Sequence, residues 1–323
     1  MSADPGFGAA PSGPPSLDDQ EGRFGKLEIF DSSALPENPP RQSFYRHRVP
    51  LPLALRRTWA RREVIFALAE RDVRASYKQA ALGMGWALIS PIIQITLFSL
   101  IFSRVKAFHV NGVPYALVAY AGLLCWSYFS GAFSAGGSSI IGSIALLNKT
   151  QFPRECFPLA QMLEQALYTL IALIPGAILM AYLGFMPHYQ VLLWAPVFIV
   201  IELMFAAGLT LAFASLVVYV RDLSQVTSII TQLGLFATPV IWPFDKIAKI
   251  TWKPLHLHNF DLRPYYSFFN PLGAVIDSVR NTALLNRPPD YSLLGIAAVG
   301  ATLYFLVGYK LFKRLEVGFA DIS

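Results

Sequence analysis

The sequence predicts an all-α integral membrane protein with six spans, preceded by an amphipathic helix at the cytoplasmic surface. Composition points there first: 54% of the 323 residues are hydrophobic and only 14% charged, with mean hydropathy +0.47. A soluble domain carries about 25% charged residues, and it cannot bury so much apolar surface. Second, six apolar runs come near or above the roughly 17–25 residues that a helix needs to cross a bilayer. Third, Lys and Arg gather on one side of those runs, as the positive-inside rule describes.

The segments follow in order. Residues 1–40 are rich in Pro, Gly, Ser and Asp and lack an apolar leader, so they are expected to be a disordered cytoplasmic tail. Residues 41–85 are expected to hold the interface helix and a glycine turn. Within them Trp59, Phe66, Val73 and Tyr77 recur near helical spacing among Arg56, Arg57, Arg61, Arg62, Arg71, Arg74 and Lys78. Residues 86–323 form the six-span domain. Its runs are Trp86 to Phe102, Tyr115 to Phe133, Leu159 to Leu183, Val191 to Val220, Val226 to Ile241 and Leu293 to Phe312. The fourth is long enough to tilt or project and the fifth is short.

Ten Lys and Arg lie between Arg41 and Lys78. Lys149, Arg154, Arg221, Lys310, Lys313 and Arg314 mark the other inner segments, while 184–190 carries none. Both termini are therefore expected in the cytoplasm. The outer segment from Phe244 to Asp290 holds six basic residues, but long loops weigh less in this rule. It contains Pro264-Tyr265-Tyr266-Ser267-Phe268-Phe269-Asn270-Pro271, then Leu272, Val275, Ile276 and Val279 at helical spacing. These pieces read either as re-entrant half-helices or as an amphipathic helix on the outer surface.

The formal charge of +6 and the pI near 9.3 arise beside apolar spans, which favours lipid headgroups or phosphates over nucleic acid. Arg71, Arg74, Tyr77 and Lys78 precede Leu82, Gly83 and Gly85, and this stretch reads as a positive-inside flank or as an anion site. Arg offers a planar donor fork, and glycines let backbone amides approach phosphate. Residues 144–155 join the second and third spans, as a plain loop or as a short helix that docks a cytoplasmic partner. Arg221-Asp222 closes the fourth span, either as a snorkelling arginine with a neutralising neighbour or as part of an inner gate. Glu164 and Glu202 fall within apolar runs, where a carboxylate is a functional candidate.

Cys125 and Cys156 form no metal-ligand spacing, so no metal site is expected. His256-Leu-His258 and the His256 to Asp261 spacing are weak signals for a metal or an acyltransferase. No phosphate-binding loop of the Gly-x4-Gly-Lys-Ser/Thr type and no Gly-x-Ser-x-Gly elbow occur, so neither ATP hydrolysis by that route nor that esterase chemistry is expected of this chain.

Several blocks in order resemble the ABC-2 type permeases that export lipid-linked polysaccharides such as O-antigen, capsule, teichoic acid and galactan. They are Arg71-Asp72-x-Arg74-x-x-Tyr77-Lys78-Gln79 with Leu82-Gly83-x-x-Trp86 and Pro91; Asn148-Lys149 with Phe152-Pro153-Arg154-Glu155 and Pro158-Leu159; Arg221-Asp222-Leu223 with Pro239-Val240; Asn270-Pro271-Leu272; and Glu316 with Phe319-Ala320-Asp321. The resemblance covers about residues 60–323 and leaves the tail outside. It implies a homodimer in a bacterial inner membrane with two separate ATPase subunits, which bind the ATP and Mg; this chain would be no enzyme and carry no cofactor. It implies re-entrant helices over Pro264 to Arg280, a coupling helix over Asn148, Lys149, Phe152, Pro153, Arg154 and Glu155, and an inner loop at Leu82-Gly83 that receives a polyprenyl pyrophosphate.

On that basis Arg71, Arg74, Tyr77, Lys78, Leu82, Gly83 and Gly85 are expected to hold the headgroup. Trp86, Phe98, Tyr120, Trp126, Tyr128 and Phe129 are expected to offer aromatic faces to the passing glycan, with about half of them facing lipid instead. The competing readings are an ABC-2 or secondary exporter of drugs or lipids, and a membrane-embedded transferase.

Overall fold

The computed structural model describes residues 51–78, 85–102, 112–143, 153–248 and 261–321. The tail expected over 1–40 lies outside them. Every element among the described residues is helical: α1 Leu51–Ala60, α2 Arg62–Lys78, α3 Gly85–Phe102, α4 Tyr115–Gly142, α5 Cys156–Tyr182, α6 Tyr189–Tyr219, α7 Leu223–Ala237, α8 Asp245–Ala248, α9 Arg263–Phe269, α10 Pro271–Leu284 and α11 Tyr291–Leu315, which runs into a 3-10 turn, Glu316–Asp321. Four of them, α4, α5, α6 and α11, are long and apolar enough to cross a membrane. The apolar stretches of α3 and α7 are shorter.

The six runs read from the sequence thus coincide with α3, α4, α5, α6, α7 and α11. The second extends well past Phe133, because the Ser- and Gly-rich stretch 134–142 stays helical against α6 and α7. Gly136 lets α4 approach the Thr210 side chain, and the Thr210 hydroxyl faces the Ala132 carbonyl at 3.4 Å. The interface helix is two helices rather than one, broken at Arg61, whose amide donates to the Thr58 carbonyl at 3.0 Å in place of the regular ladder.

Small residues set the closest crossing. α6 and α11 meet where Gly208 faces Gly308, and a Cβ on either would strike backbone of the other helix. Without a hydrophobic drive between helices in lipid, this close approach is what small residues permit. At the other end of the bundle, α5 closes with a Schellman cap: Gly184 takes φ +70°, its amide donates to Ala181, and that of Phe185 donates to Met180 at 2.9 Å. The following turn reaches α10, the His188 amide donating to Ala283 at 3.2 Å.

α9 and α10 form a hairpin in which α10 is buried among the long helices while Tyr265 and Phe269 of α9 are exposed. Its turn lies beside Tyr304, whose hydroxyl donates to the Phe269 carbonyl at 3.0 Å. Tyr304 is thirteen residues along α11, about 20 Å at the ~1.5 Å rise per residue. The far end of α10 returns to the turn at His188 between α5 and α6, and most of α10 is buried. Asn270, at the hairpin tip, donates to the Thr238 hydroxyl at 2.8 Å, just past the end of α7.

Candidate functional site

α2 lies against α5 through polar contacts. Gln161 donates to Asp72 at 2.7 Å, and Glu164 accepts from Tyr168 at 2.6 Å and from Ser76 at 3.4 Å. Glu164 is therefore tied into the α2–α5 packing. The outward face of α1 and α2 mixes Trp59, 72% exposed, and Phe66, 59% exposed, with exposed Arg56, Arg57, Arg62 and Arg74. Leu68 and Ala69 pack with Phe157 and Ala160 of α5 on the inward side, and large apolar side chains among arginines on the outward side fit a bilayer surface better than water.

Of the residues read as a headgroup site, Arg71 is paired with Asp72 at 2.6 Å and Arg74 with Glu70, both exposed. Gly85 is the half-buried first residue of α3. Leu82 and Gly83 lie outside the described residues, as do the side chains of Tyr77, Lys78 and Trp86. Beside Arg71 a cavity of about 260 Å³ opens between α2, α4 and α5. Arg71, Asp72, Ser138, Ser139, Ser143 and Gln161 supply its polar lining.

The aromatic residues read as a glycan path lie largely in the core of the single chain. Tyr120, Trp126, Tyr128 and Phe129 are buried within the single chain, and Phe98 packs half-buried against the same core. Tyr120 donates to the Ala172 carbonyl, Phe129 stacks on Phe205 at 5.1 Å, and Gly234 leaves room for Trp126. Within the single chain all four of these rings are no more than 7% exposed. Periodicity cannot separate an inward ring from a lumen-facing one.

Sequence reasoning passed over the exposed polar residues. On α7, Gln225, Ser228 and Gln232 recur at i, i+3 and i+7 and are all exposed. On α3, Ser90 and Gln94 are exposed one turn apart. Both helices pack on α4. The signal was present in the sequence as polar residues at helical spacing inside apolar runs, but those runs were judged by length alone. An amide left unpartnered in hydrocarbon costs roughly 4 kcal/mol or more on the cyclohexane scale, so this flank requires water or another protein surface.

Of the residues read as a coupling helix, Asn148, Lys149 and Phe152 lie outside the described residues. Pro153, Arg154 and Glu155 form the turn into α5. Arg154 donates to the Glu316 carbonyl and stands 5.4 Å over the Phe319 ring, while Glu155 is only 1% exposed. Arg221 and Asp222 are exposed in the turn between α6 and α7. The Glu202 Oε1 is buried with no hydrogen-bond partner, and so is the Tyr128 hydroxyl. His256 and His258 lie outside the described residues; no metal-binding group occurs among the described ones.

Residues 63–280 match the ABC-2 type transporter family. The chain belongs to that family. It is similar to the O-antigen export system permease protein RfbA of Myxococcus xanthus, 28% identical over 269 residues that span 83% of this chain and 98% of the relative. It is also similar to the RfbA protein of Klebsiella pneumoniae, 24% identical over 262 residues, 80% of this chain and 95% of the relative. The matched region of this ABC-2 chain holds α2 through most of α10, and so contains the α2–α5 cavity and the polar flanks of α3 and α7. It leaves out α1, α11 and the C-terminal turn.

Proposed function

We propose that this ABC-2 chain is the permease through which a polyprenyl-pyrophosphate-linked polysaccharide of the O-antigen type leaves the cytoplasm. Its partners are a second copy of itself and a pair of ATPase subunits, which supply the ATP and Mg chemistry. The termini are cytoplasmic and α3 and α7 complete six spans. The α9–α10 hairpin is re-entrant, entering from the outer side and returning to it. In support, its tip lies about 20 Å down α11 by the ~1.5 Å rise, and both ends lie near the start of that helix.

The observation that carries this reading is the polar flank of Gln225, Ser228 and Gln232 on α7, with Ser90 and Gln94 on α3. Two copies facing each other across these flanks would enclose a path lined by neutral amides and hydroxyls. Such groups exchange hydrogen bonds with successive sugars without holding any one of them. Charged groups would bind too tightly, and aliphatic ones would strip the sugar hydroxyls of partners.

The headgroup is collected at the inner surface by Arg71, Arg74, Tyr77, Lys78, Leu82, Gly83 and Gly85. Arg71 and Arg74 are held only by exposed ion pairs, which contribute about 0–1 kcal/mol each. Exchanging Asp72 or Glu70 for a pyrophosphate is therefore cheap. The turn at Arg221 and Asp222 stands at the inner end of α7, in position to close the path.

The path is tested by cysteine scanning. Native Cys125 and Cys156 are both buried, so background labelling is low. In exporting cells, Gln225→Cys and Gln232→Cys react with a water-soluble maleimide and lose export, while Val226→Cys and Leu233→Cys, exposed about 100° further round the helix, stay unlabelled. Unreactive cysteines at 225 and 232, with export unchanged in Gln225→Leu and Gln232→Leu, would refute it.

A further inference from the structure

Glu155 is a fully buried carboxylate whose partners come from two separate parts of the chain, α1 and α11. Thr58 on α1 donates to Oε1 at 2.6 Å. The Thr58 hydroxyl also lies 3.1 Å from the Ala54 carbonyl, but it has one proton, and the charged and nearer acceptor takes it. Tyr309 on α11 donates at 3.2 Å, and Lys313, one turn further, places its ammonium 2.8 Å from Oε1 and 2.9 Å from Oε2. Lys313 also reaches Glu316 at 3.1 Å. Beside Glu155, Arg154 donates to the Glu316 carbonyl and covers Phe319, which is buried with Ala54, Tyr309 and Phe312.

The four charges Arg154, Glu155, Lys313 and Glu316 sum to zero, and the Thr58 and Tyr309 hydroxyls and the Phe319 ring stand beside them. A buried carboxylate satisfied in this way is costly to pull from any one partner, since the remaining charge would be left uncompensated. The start of α5, α1 and the C-terminal turn are thereby held as one body. Glu155 is also withdrawn from any surface a partner could touch.

We infer that Glu155 is a positioning residue and not a partner contact: it ties the start of α5 to α1 and to the end of α11, so that a displacement at the start of α5 reaches the interface helices and the C terminus together. The inference rests on the reading that an ATPase acts on the segment before α5. It adds that α1 and Glu316–Asp321, both outside the matched family region, belong to the moving unit.

Two single substitutions separate the ties. Thr58→Val keeps shape and removes only the α1 donor, and Thr58→Ser restores it. Lys313→Met removes the α11 cation. The full chain, assembled with its ATPase in lipid vesicles, is followed by amide hydrogen exchange with and without ATP. In the wild type, ATP changes protection at the start of α5, in Leu51–Ala60 and in Glu316–Asp321. Thr58→Val loses the change in Leu51–Ala60 alone, and Thr58→Ser regains it. Lys313→Met loses the change in Glu316–Asp321 while keeping the α1 response. Export per ATP hydrolysed falls in both Val and Met variants, although the ATPase still co-purifies.

Should Thr58→Val and Lys313→Met respond to ATP as the wild type does, the joint is refuted while the permease reading stands. A wild-type complex in which ATP alters protection nowhere overturns both. If Lys313→Met fails to accumulate, Thr58→Val against Thr58→Ser decides alone.

Discussion

Arg280 on α10 places its Nε 2.9 Å from the carbonyl of Val118 on α4, and its two terminal nitrogens donate to Pro239, Val240 and Trp242. A side chain only 5% exposed thus serves the Pro239, Val240 and Trp242 carbonyls in the break after α7 and ties them to α4 at Val118. Irregular backbone at membrane depth is tolerated only where protein supplies its hydrogen bonds. The planar fork reaches carbonyls in two directions, which a lysine ammonium cannot do. Arg280→Lys should therefore lower stability by about 3 kcal/mol or more, and Arg280→Met at least as much. Thermal unfolding of the detergent-solubilised chain measures it; a shift within error for Arg280→Lys contradicts the clamp.

The spans were legible because length and hydropathy alone decide whether a helix is accommodated in a bilayer. Leu159 to Leu183 and Leu293 to Phe312 match α5 and α11 closely for that reason. The side chains that matter at the centre were less so. Trp126 and Gln232 both sit in apolar runs, and nothing local says that the first turns into the chain and the second away from it. Arg280 could have been found as a lone cation in an apolar helical stretch, but its partners lie far away in sequence, at Val118 and Pro239. Glu155 was visible within a motif, but its burial depends on Thr58 and Lys313 meeting it, a consequence of the three-dimensional packing alone.

Gly208 and Gly308 predict a second outcome. A Cβ on Gly308 would meet the Gly208 carbonyl, and one on Gly208 would meet the Tyr304 backbone, neither of which can rotate aside. Gly308→Ala should destabilise by about 1–3 kcal/mol by overpacking, against the usual gain of about 0.5–1 kcal/mol for Gly→Ala in a helix. Gly142→Ala is the control, since nothing lies within 4 Å of its Cβ. Paired melting curves with opposite or neutral sign for Gly142→Ala confirm the crossing; equal shifts in both variants deny it.

Asp261 and Arg263, at the start of α9, make a third, pH-dependent case. The Arg263 side chain donates to both Asp261 oxygens at 2.8–3.0 Å and its amide donates at 2.9 Å, which opens α9. The side-chain hydrogen bond from Arg263 holds the Asp261 carboxyl below its ordinary value. A lowered carboxyl contributes stability above its unfolded value, near pH 4, and loses it as pH falls through the folded value. Exchange protection of the Arg263 amide should thus be the same at pH 7 and pH 5 after correction for intrinsic rates. Asp261→Asn should reduce it equally at both. A loss of protection between pH 7 and 5 in the wild type would contradict the pairing.

Asp72 offers the sharpest test of the inner surface. It holds Arg71 at 2.6 Å and accepts from Gln161 at 2.7 Å, so its charge screens Arg71 while its shape positions α2. Asp72→Asn keeps an oxygen for Gln161 and removes the charge. Arg71 is then free to pair with phosphate, and the purified chain should bind vesicles carrying a polyprenyl phosphate more tightly than the wild type does. The gain should shrink as salt rises from 50 to 500 mM, roughly as the Debye length falls below 10 Å. Asp72→Asn combined with Arg71→Gln should return binding to or below the wild-type value. If the single and double variants bind alike, the guanidinium of Arg71 takes no part in capturing the headgroup, and the capture falls to Lys78 and the glycine turn.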